Sequence, residues 1–385
     1  MAATVDRPLR VLHLSHSAVN GGAELALVRM LRAEPEWSPL VLTPPIAPGV
    51  FEGLACRRVS GVVQPAGVAS AGAAGIAAAT ANLAVQALAT RAHAGFRTAD
   101  LIHANTTRAA AYGALAARTS RRPFIVHLRD TVDVPTLGAA GHALMTRLAL
   151  PRADGVIANS AATLRTAEPF LRPDALTRVI PSASGLTVGG ARPPRESGPL
   201  RIGMLARIDP WKGQHLVLHA FRLAFPHGDE VLQFAGGAPF GHEAYAQSLI
   251  AAARSHGLDD RVQLLGNIED IDPLLNHWDI AVQFSTRPEP LGQNVLQYLA
   301  AGCATVVADE GGPVHWVSDG VNGVRIPPRD VDALAAVLRD LAADPNTRER
   351  LGAAAAATPG LLDDRSVTAA HAAFFREVHT AVTRR

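Results

Sequence analysis

Among the 36 lysine and arginine side chains of this sequence, only Lys212 is a lysine. It stands in "ARIDPWKGQ" (206–214), after the apolar run 201–206 and at the start of a helical pattern, with Arg207 closing the apolar run. A helix N-terminus offers unpaired N–H groups and the positive end of a dipole. Two cations beside it make a site for a dense anion, most simply a diphosphate. Lysine supplies a mobile point charge there and arginine a planar fork. The plain alternative is a surface loop that has kept a stray lysine.

A second group lies in "RPEPLGQNVLQYLAAG" (287–302). Glu289 follows an apolar strand pattern, and the turn Leu291-Gly292 opens a helix expected over 293–301. The N–H groups of Gly292, Gln293 and Asn294 are then free for phosphate oxygens. A phosphate would repel a neighbouring carboxylate, so Glu289 is expected to face a ligand rich in hydroxyl donors, such as a sugar. There it could also stabilise oxocarbenium charge. Gln297, eight residues on, is expected to face the same pocket. The competing reading makes Glu289 a helix-start acid and Gln297 a surface residue.

These residues need a scaffold, and the pattern predicts a parallel α/β one. Near-continuous apolar strands at 10–16, 39–44, 100–105, 123–130, 153–160 and 178–182 alternate with helical segments, among them 21–31. After the Gly/Pro/Ser-rich stretch 184–200 a second series begins, with strands at 201–206, 230–237, 261–266, 279–285, 304–309 and 323–328. Helices are expected over 213–225 and 330–343. With 385 residues, the chain reads as two doubly wound, Rossmann-like domains, 1–183 and 201–363, joined by a linker over 184–200. A ligand is expected at the carboxyl ends of the strands, in a cleft where the sheets face each other.

Composition narrows the function. Apolar residues make up 48% of the chain and charged ones 18%, and the net charge of +2 gives no support for nucleic-acid binding. Cys56 and Cys303 lack metal or disulfide-framework spacing and suit a reducing cytoplasm. No signal-peptide pattern opens the sequence. The uncharged run 59–90 is long enough to span a bilayer, but its Ala, Gly, Ser and Thr content and Pro65 favour a packed or surface helix. No transmembrane segment is expected, and peripheral membrane contact is left open. "DID" (270–272) reads as helix-start acids and not as a metal motif. His13, His16 and His103 end strands, more in the manner of core or cleft residues than of ligands. Asn105, Arg129 and Asp130 also end strands and are candidates for acceptor contacts. A dinucleotide-dependent oxidoreductase needs Gly-x-Gly-x-x-Gly after the first strand, where "SHSAVNGGAE" stands instead.

"ARIDPWKG", the turn at Glu289 and "LAAGCATVVADEGGPVHWVSDGVNGVRIPPRD", with "NGGAELALVRML", "DLIHANTTRAAAYGALAARTSRRPFIVHLRD" and "ADGVIANSAATL", resemble the retaining glycosyltransferases of family 4 (glycosyltransferase group 1) with the GT-B fold. The resemblance runs from about Arg10 to the last helix, with the motifs in family order. It implies that Arg207 and Lys212 clamp the donor diphosphate, and that Glu289 is the first glutamate of a Glu-x7-Glu motif touching the transferred sugar. Gly21 and Gly22 would approach the phosphates. His127 would be the donor-pocket histidine, and Asn267 and Ile268 in "LGNIED" (265–270) would read the nucleobase. The first domain would hold the acceptor and the second the donor, with the last helix, 364–385, packing back on the first.

The sequence departs from that pattern at three places. Gln297 replaces the second glutamate, whose role is to accept both ribose hydroxyls; this admits a dTDP-sugar donor alongside a UDP-sugar. Leu291 stands where Phe is common. "IPSASG" (180–185) replaces Ile-Pro-Asn-Gly. The implied reaction is metal-independent and cofactor-free transfer of a hexose, with retention, from a nucleotide-sugar to a hydroxyl of a small molecule, lipid or glycan. The alternatives are a nucleotide-sugar-binding member without catalysis and, less well matched, a sugar-nucleotide epimerase or a phosphorylase.

Overall fold

Strands buried on both faces must be largely apolar at successive positions, and Leu101–Ala104, Phe124–Leu128, Gly155–Ala158, Ile280–Gln283 and Ala304–Ala308 are. In the computed structural model, which describes residues 7–19, 21–45, 49–63, 73–189, 192–193, 197–238 and 241–384, the strands assemble into two wholly parallel sheets. Parts of the uncharged run (64–72) and of the Gly/Pro-rich stretch (190–191 and 194–196) lie outside the described residues.

The chain divides into two compact units, Met1–Ser184 with Asp364–Arg385, and Gly185–Asp363. The first contains β1 (Arg10–Leu14), β2 (Ser38–Thr43), β3 (Arg57–Val59), β4 (Leu101–Ala104), β5 (Phe124–Leu128), β6 (Gly155–Ala158) and β7 (Leu176–Val179), in the order β3-β2-β1-β4-β5-β6-β7. The sequence pattern did not register β3, which is three residues long and begins with two arginines. The order reverses between β1 and β4, which pair in parallel from Val11↔Leu101 to Leu14↔Ala104. Leu12, Leu14, Ile102 and Val126 face a cluster with Tyr112, Phe96 and the alanines of helix Thr107–Ala117. That helix starts where Thr106 Oγ1 accepts from Ala109 N (3.3 Å), a side-chain N-cap. Helix Asp364–Thr383 returns to this unit: it buries Phe374, Phe375 and Val378, and Thr368 Oγ1 donates to Met30 O at 3.2 Å.

The second unit contains β8 (Arg201–Leu205), β9 (Val231–Ala235), β10 (Val262–Gly266), β11 (Ile280–Gln283), β12 (Ala304–Ala308) and β13 (Val324–Ile326), in the order β10-β9-β8-β11-β12-β13. Ile280 and Val282 join Phe221 and Leu334 in one cluster, while Ala281 joins Trp278 and Tyr298 in another, so helices cover both faces. Here the order reverses between β8 and β11. The stretch after Ser184 is not a free tether. Leu186 packs with Leu291 and Val295, and Arg192 donates to Gly302 O (2.6 Å) and to the carbonyl of Trp278, capping the carbonyls at two helix ends.

Candidate functional site

The order of the second sheet reverses between β8 and β11, and doubly wound sheets bind ligands beyond the carboxyl ends of the strands at such a reversal. Arg207 and Lys212 follow β8, and Ser285 and Glu289 follow β11. Asp209 caps a single 3-10 turn, Pro210–Lys212, and Gly213 then takes φ +82°, in the left-handed region. A Cβ on Gly213 would lie 2.0 Å from Phe284 O, so only glycine lets this turn close on the end of β11. Thr286 N donates to Trp211 O at 2.8 Å and ties the two loops together.

The closure places Lys212 Nζ 2.6 Å from Glu289 Oε1, with the side chains 16% and 7% exposed. Ser285 Oγ donates to the same carboxylate oxygen at 2.7 Å and takes a hydrogen bond from Gln283 Nε2 at 3.0 Å. Beside the hydroxyl-bearing ligand expected for it, Glu289 thus has a partner within the chain: its charge is balanced by Lys212. Two opposite charges this far from water are held only because each satisfies the other. Lys212 Nζ lies 3.9 Å and Arg287 Cζ 4.2 Å from the centre of the Trp211 ring, two cation–π contacts on one indole. Arg207 reaches Asp209 at 3.5 Å.

The loop carrying Glu289 is pinned by backbone contact. Gly312 N donates to Glu289 O at 2.7 Å, and a Cβ on Gly311 (φ +72°) would lie 2.6 Å from that same oxygen. Helix Gln293–Ala300 begins at Gly292 (φ +74°); Val295 N donates to Gly292 O at 2.9 Å and to Asn294 Oδ1 at 3.1 Å, while the N–H groups of Gln293 and Asn294 precede the first acceptor of the helix. The expected ligand-side set divides here. Gln293 is half-buried, and Asn294 turns toward Tyr298 OH (3.3 Å). Leu291 is 4% exposed in an apolar cluster with Val295 and Val317, which excludes its side chain from ligand contact.

Gln297 is buried, but it lines a cavity of about 100 Å³ with Thr187, Ile271, Asp272 and Leu275. Glu289 is not part of that lining. Asn267 is exposed, and its Oδ1 accepts from Gly237 N at 2.9 Å; Ile268 is half-buried against Trp278 and Leu275. Asp270 and Asp272 contact each other's turn, with Asp272 N on Asp270 Oδ1 at 3.2 Å, and Thr187 Oγ1 donates to Asp272 at 2.6 Å. Among the described residues, no three His, Cys, Asp or Glu side chains form a group suited to a metal ion.

In the first unit, His127 is displaced from its expected role. It lies inside β5, 1% exposed, in a chain of buried rings. Trp37 Nε1–H donates to His13 Nε2 (2.9 Å), so neutral His13 carries its proton on Nδ1, 2.9 Å from His103 Nδ1. His103 then donates from Nε2 to His127 Nδ1 at 3.2 Å. Burial pushes His13 down to about 3 and His371 down to about 4, and lowers His103 and His127 well below the ordinary value, so the chain is neutral. A strand residue whose side chain points at helix Asp364–Thr383 cannot also point out of the strand end.

The residues that do reach that end are polar. Arg129 donates to Asn105 Oδ1 and Ser182 Oγ, both at 2.8 Å, and Asn105 Nδ2 donates to Ala23 O at 3.1 Å. Asp130 is exposed. His16 Nδ1 and Thr106 Oγ1, 2.8 Å apart, sit where β1 and β4 part. Gly21 caps helix Gly22–Arg32, and a Cβ there would lie 2.5 Å from Glu24 Oε2; Gly22 has open space. Glu24 is buried, and desolvation raises its pKa against the nearby Arg129 charge.

Two family models cover these units: "Glycosyl transferase 4-like domain" matches residues 21–183 and "Glycosyl transferases group 1" matches residues 191–358. The chain belongs to the group 1 glycosyltransferases. This family member is 34% identical over 169 residues to the glycogen synthase of Mycobacterium tuberculosis, covering 43% of this chain and 39% of that protein. It is 30% identical over 162 residues to D-inositol 3-phosphate glycosyltransferase of Kribbella flavida, covering 40% and 38%. The matched stretch thus spans well under half the length of these curated relatives. Anabaena HepE, solved in complex with UDP and glucose, superposes with a TM-score of 0.76 at 27% identity, covering 96% of this chain and 99% of that one. Sucrose-phosphate synthase of Thermosynechococcus elongatus, at 20% identity and a TM-score of 0.77 over 97% and 100%, shares the GT-B fold.

Trp211, Arg287, Ser285 and Gln283 escaped the reading of this family member's sequence. Trp211 adjoins the only lysine, a signal that was available. The other three bear on Glu289 or Trp211 only through the fold.

Proposed function

We propose that the chain is a retaining glycosyltransferase that moves a hexose from a UDP-sugar to an acceptor hydroxyl, without a metal or cofactor. The observation that carries this reading is the Lys212–Glu289 pair at the sheet reversal, with Arg207 on the loop that carries Lys212 and helix Gln293–Ala300 starting just after Glu289. Three positive elements suit a leaving diphosphate, and a carboxylate among them suits the hydroxyls of the transferred sugar. The structures of HepE with UDP and glucose and with UDP-glucose support UDP as the carrier.

In this reading the bond from the sugar's anomeric carbon to the β-phosphate oxygen breaks while the acceptor oxygen bonds to that carbon on the same face. The acceptor proton passes to the departing phosphate. Arg207 and Lys212 hold the charge that develops on the diphosphate, and Glu289 orients the sugar. Gln297 takes the pentose, and the backbone at Asn267 and Ile268 the base. Asn105, Arg129 and Asp130 meet the acceptor, and the enzyme works in the cytoplasm. Among the described residues no helix is long and apolar enough to cross a membrane.

The test is UDP release from UDP-glucose in the presence of hydroxyl acceptors and EDTA, with the product's anomeric configuration read by NMR. Release that depends on Glu289, giving an α-product, supports the reading; a β-product overturns retention. Binding of UDP-glucose without turnover would favour the non-catalytic alternative.

A further inference from the structure

The small net charge hides a strong asymmetry. From residue 53 to residue 129 Asp100 is the only acidic residue, against nine arginines, and Asp100 is engaged by Arg7 (2.7 Å) and Arg10 (3.0 Å). Helix Ala73–Ala92 lies within this stretch. It buries Gln86, Ala87 and Thr90 and turns Ala77, Ala81, Ala84, Val85, Leu88 and Ala92 outward along one stripe. Leu88 is 70% exposed, the largest exposure among the big apolar side chains of the described residues. Val62 N donates to Gln86 Oε1 at 2.9 Å, tying the segment that carries the exposed Val63 to the helical turn that carries Val85.

Arginines gather where this helix ends. Arg58 and Arg97 both lower the pKa of His93, after desolvation, by their charge, and Arg91 and Arg122 lie 5.1 and 5.8 Å from the Phe96 ring. Among the described residues no carboxylate pairs with Arg58, Arg91 or Arg97. An apolar stripe without charge, bordered by unneutralised guanidinium groups, asks for a partner that is apolar within and anionic at its surface. A folded protein partner normally inserts an anchoring side chain into a pocket, and a stripe built mostly of alanine has too little relief for one.

We propose that helix Ala73–Ala92 and its arginine border dock this chain on an anionic lipid bilayer. Leu88, Val85 and Val63 enter the headgroup boundary, and Arg58, Arg91 and Arg97 meet lipid phosphates, where a guanidinium fork binds two oxygens. The contact is peripheral and weakens with salt.

The test is co-sedimentation of the full chain with vesicles of phosphatidylcholine alone and of phosphatidylcholine mixed equally with phosphatidylglycerol. Binding is expected to the mixed vesicles, falling with salt and by about fivefold for each of Arg58→Gln and Arg97→Gln. Leu88→Glu should lower it by about tenfold or more, and Val321→Ser, an exposed apolar position of the second unit, should leave it unchanged. Circular dichroism confirms that each variant is folded. Absence of binding to the mixed vesicles, or binding undiminished in Leu88→Glu, overturns the proposal. So does a dimer in sedimentation velocity that Leu88→Glu dissolves while vesicle binding persists, which would make the stripe a contact between copies of the chain.

Discussion

Lys212 Nζ and Glu289 Oε1 are 2.6 Å apart across 77 positions of sequence, joined where the order of the second sheet reverses. The pair ties the loop after β8 to the loop after β11, and the proposed activity depends on it. Removing one partner leaves the other charge buried and uncompensated. Lys212→Ala should therefore lower kcat/KM for a UDP-sugar by about 10²–10³-fold. In a thermodynamic cycle, Lys212→Met and Glu289→Gln should couple by about 1–3 kcal/mol in denaturant-measured stability. Additive effects would mean that the two charges ignore each other.

Gly213 makes that pair geometrically available. Its φ is +82°, and the carbonyl oxygen of Phe284 lies 2.0 Å from where a Cβ would stand, so no side chain fits without backbone movement. Gly213→Ala is expected to cost about 2 kcal/mol or more of stability and to weaken UDP binding together with turnover. Unchanged urea midpoint and affinity would show that the turn has slack.

The histidine chain sets an acid limit on the first unit. His13, His103, His127 and His371 are neutral when folded because burial lowers their pKa values, to about 3 for His13 and about 4 for His371. In the unfolded chain each takes a proton near pH 6.5. Stability is therefore at its full value above about pH 6.5 and falls as pH drops toward about 4. Each such histidine should contribute about 1.4 kcal/mol per pH unit in that window. Chemical denaturation at a series of pH values reads the slope, which His371→Leu should reduce by one proton.

His127 separates core from site. Buried in β5 and bonded to His103, it should tolerate His127→Gln with UDP affinity changed by no more than about twofold, while Tm falls because a buried hydrogen bond is lost. A large loss of affinity at unchanged Tm would return His127 to the donor pocket.

Arg192 tests how the stretch after Ser184 is anchored. Its guanidinium satisfies the carbonyls of Gly302 and Trp278, which are left without it, so Arg192→Ala should destabilise the second unit by about 2 kcal/mol. A melting curve unchanged by this substitution would contradict the anchoring.

The features most legible in the sequence were those that repeat. Apolar strands with period and spacing disclosed both sheets, and the only lysine and the Glu-Pro-Leu-Gly turn disclosed the residues at the second reversal. Partnerships between distant positions left no such trace. Nothing in "FIVHLRD" says that His127 points at a helix some 240 residues on, because alternation in a strand buried on both faces leaves the direction of each side chain undetermined. Gln297 was placed with Glu289 by spacing along the helix; Gly292 turns the chain with a positive φ between them, and the cavity that Gln297 lines with Ile271 and Asp272 is not foretold by that spacing. Leu291 adjoins ligand candidates in sequence while its side chain serves the core. Arg192, inside a stretch rich in Gly, Pro and Ser, acquires its role only from carbonyls more than 80 positions away.

The most direct measurement is calorimetric titration of the chain with UDP in EDTA, wild type beside Lys212→Ala. UDP is expected to bind the wild type, and affinity should fall by about ten- to hundredfold in the variant, the worth of one hydrogen bond to a charged group. Equal affinity in both proteins would contradict the claim that Lys212 holds the donor's diphosphate.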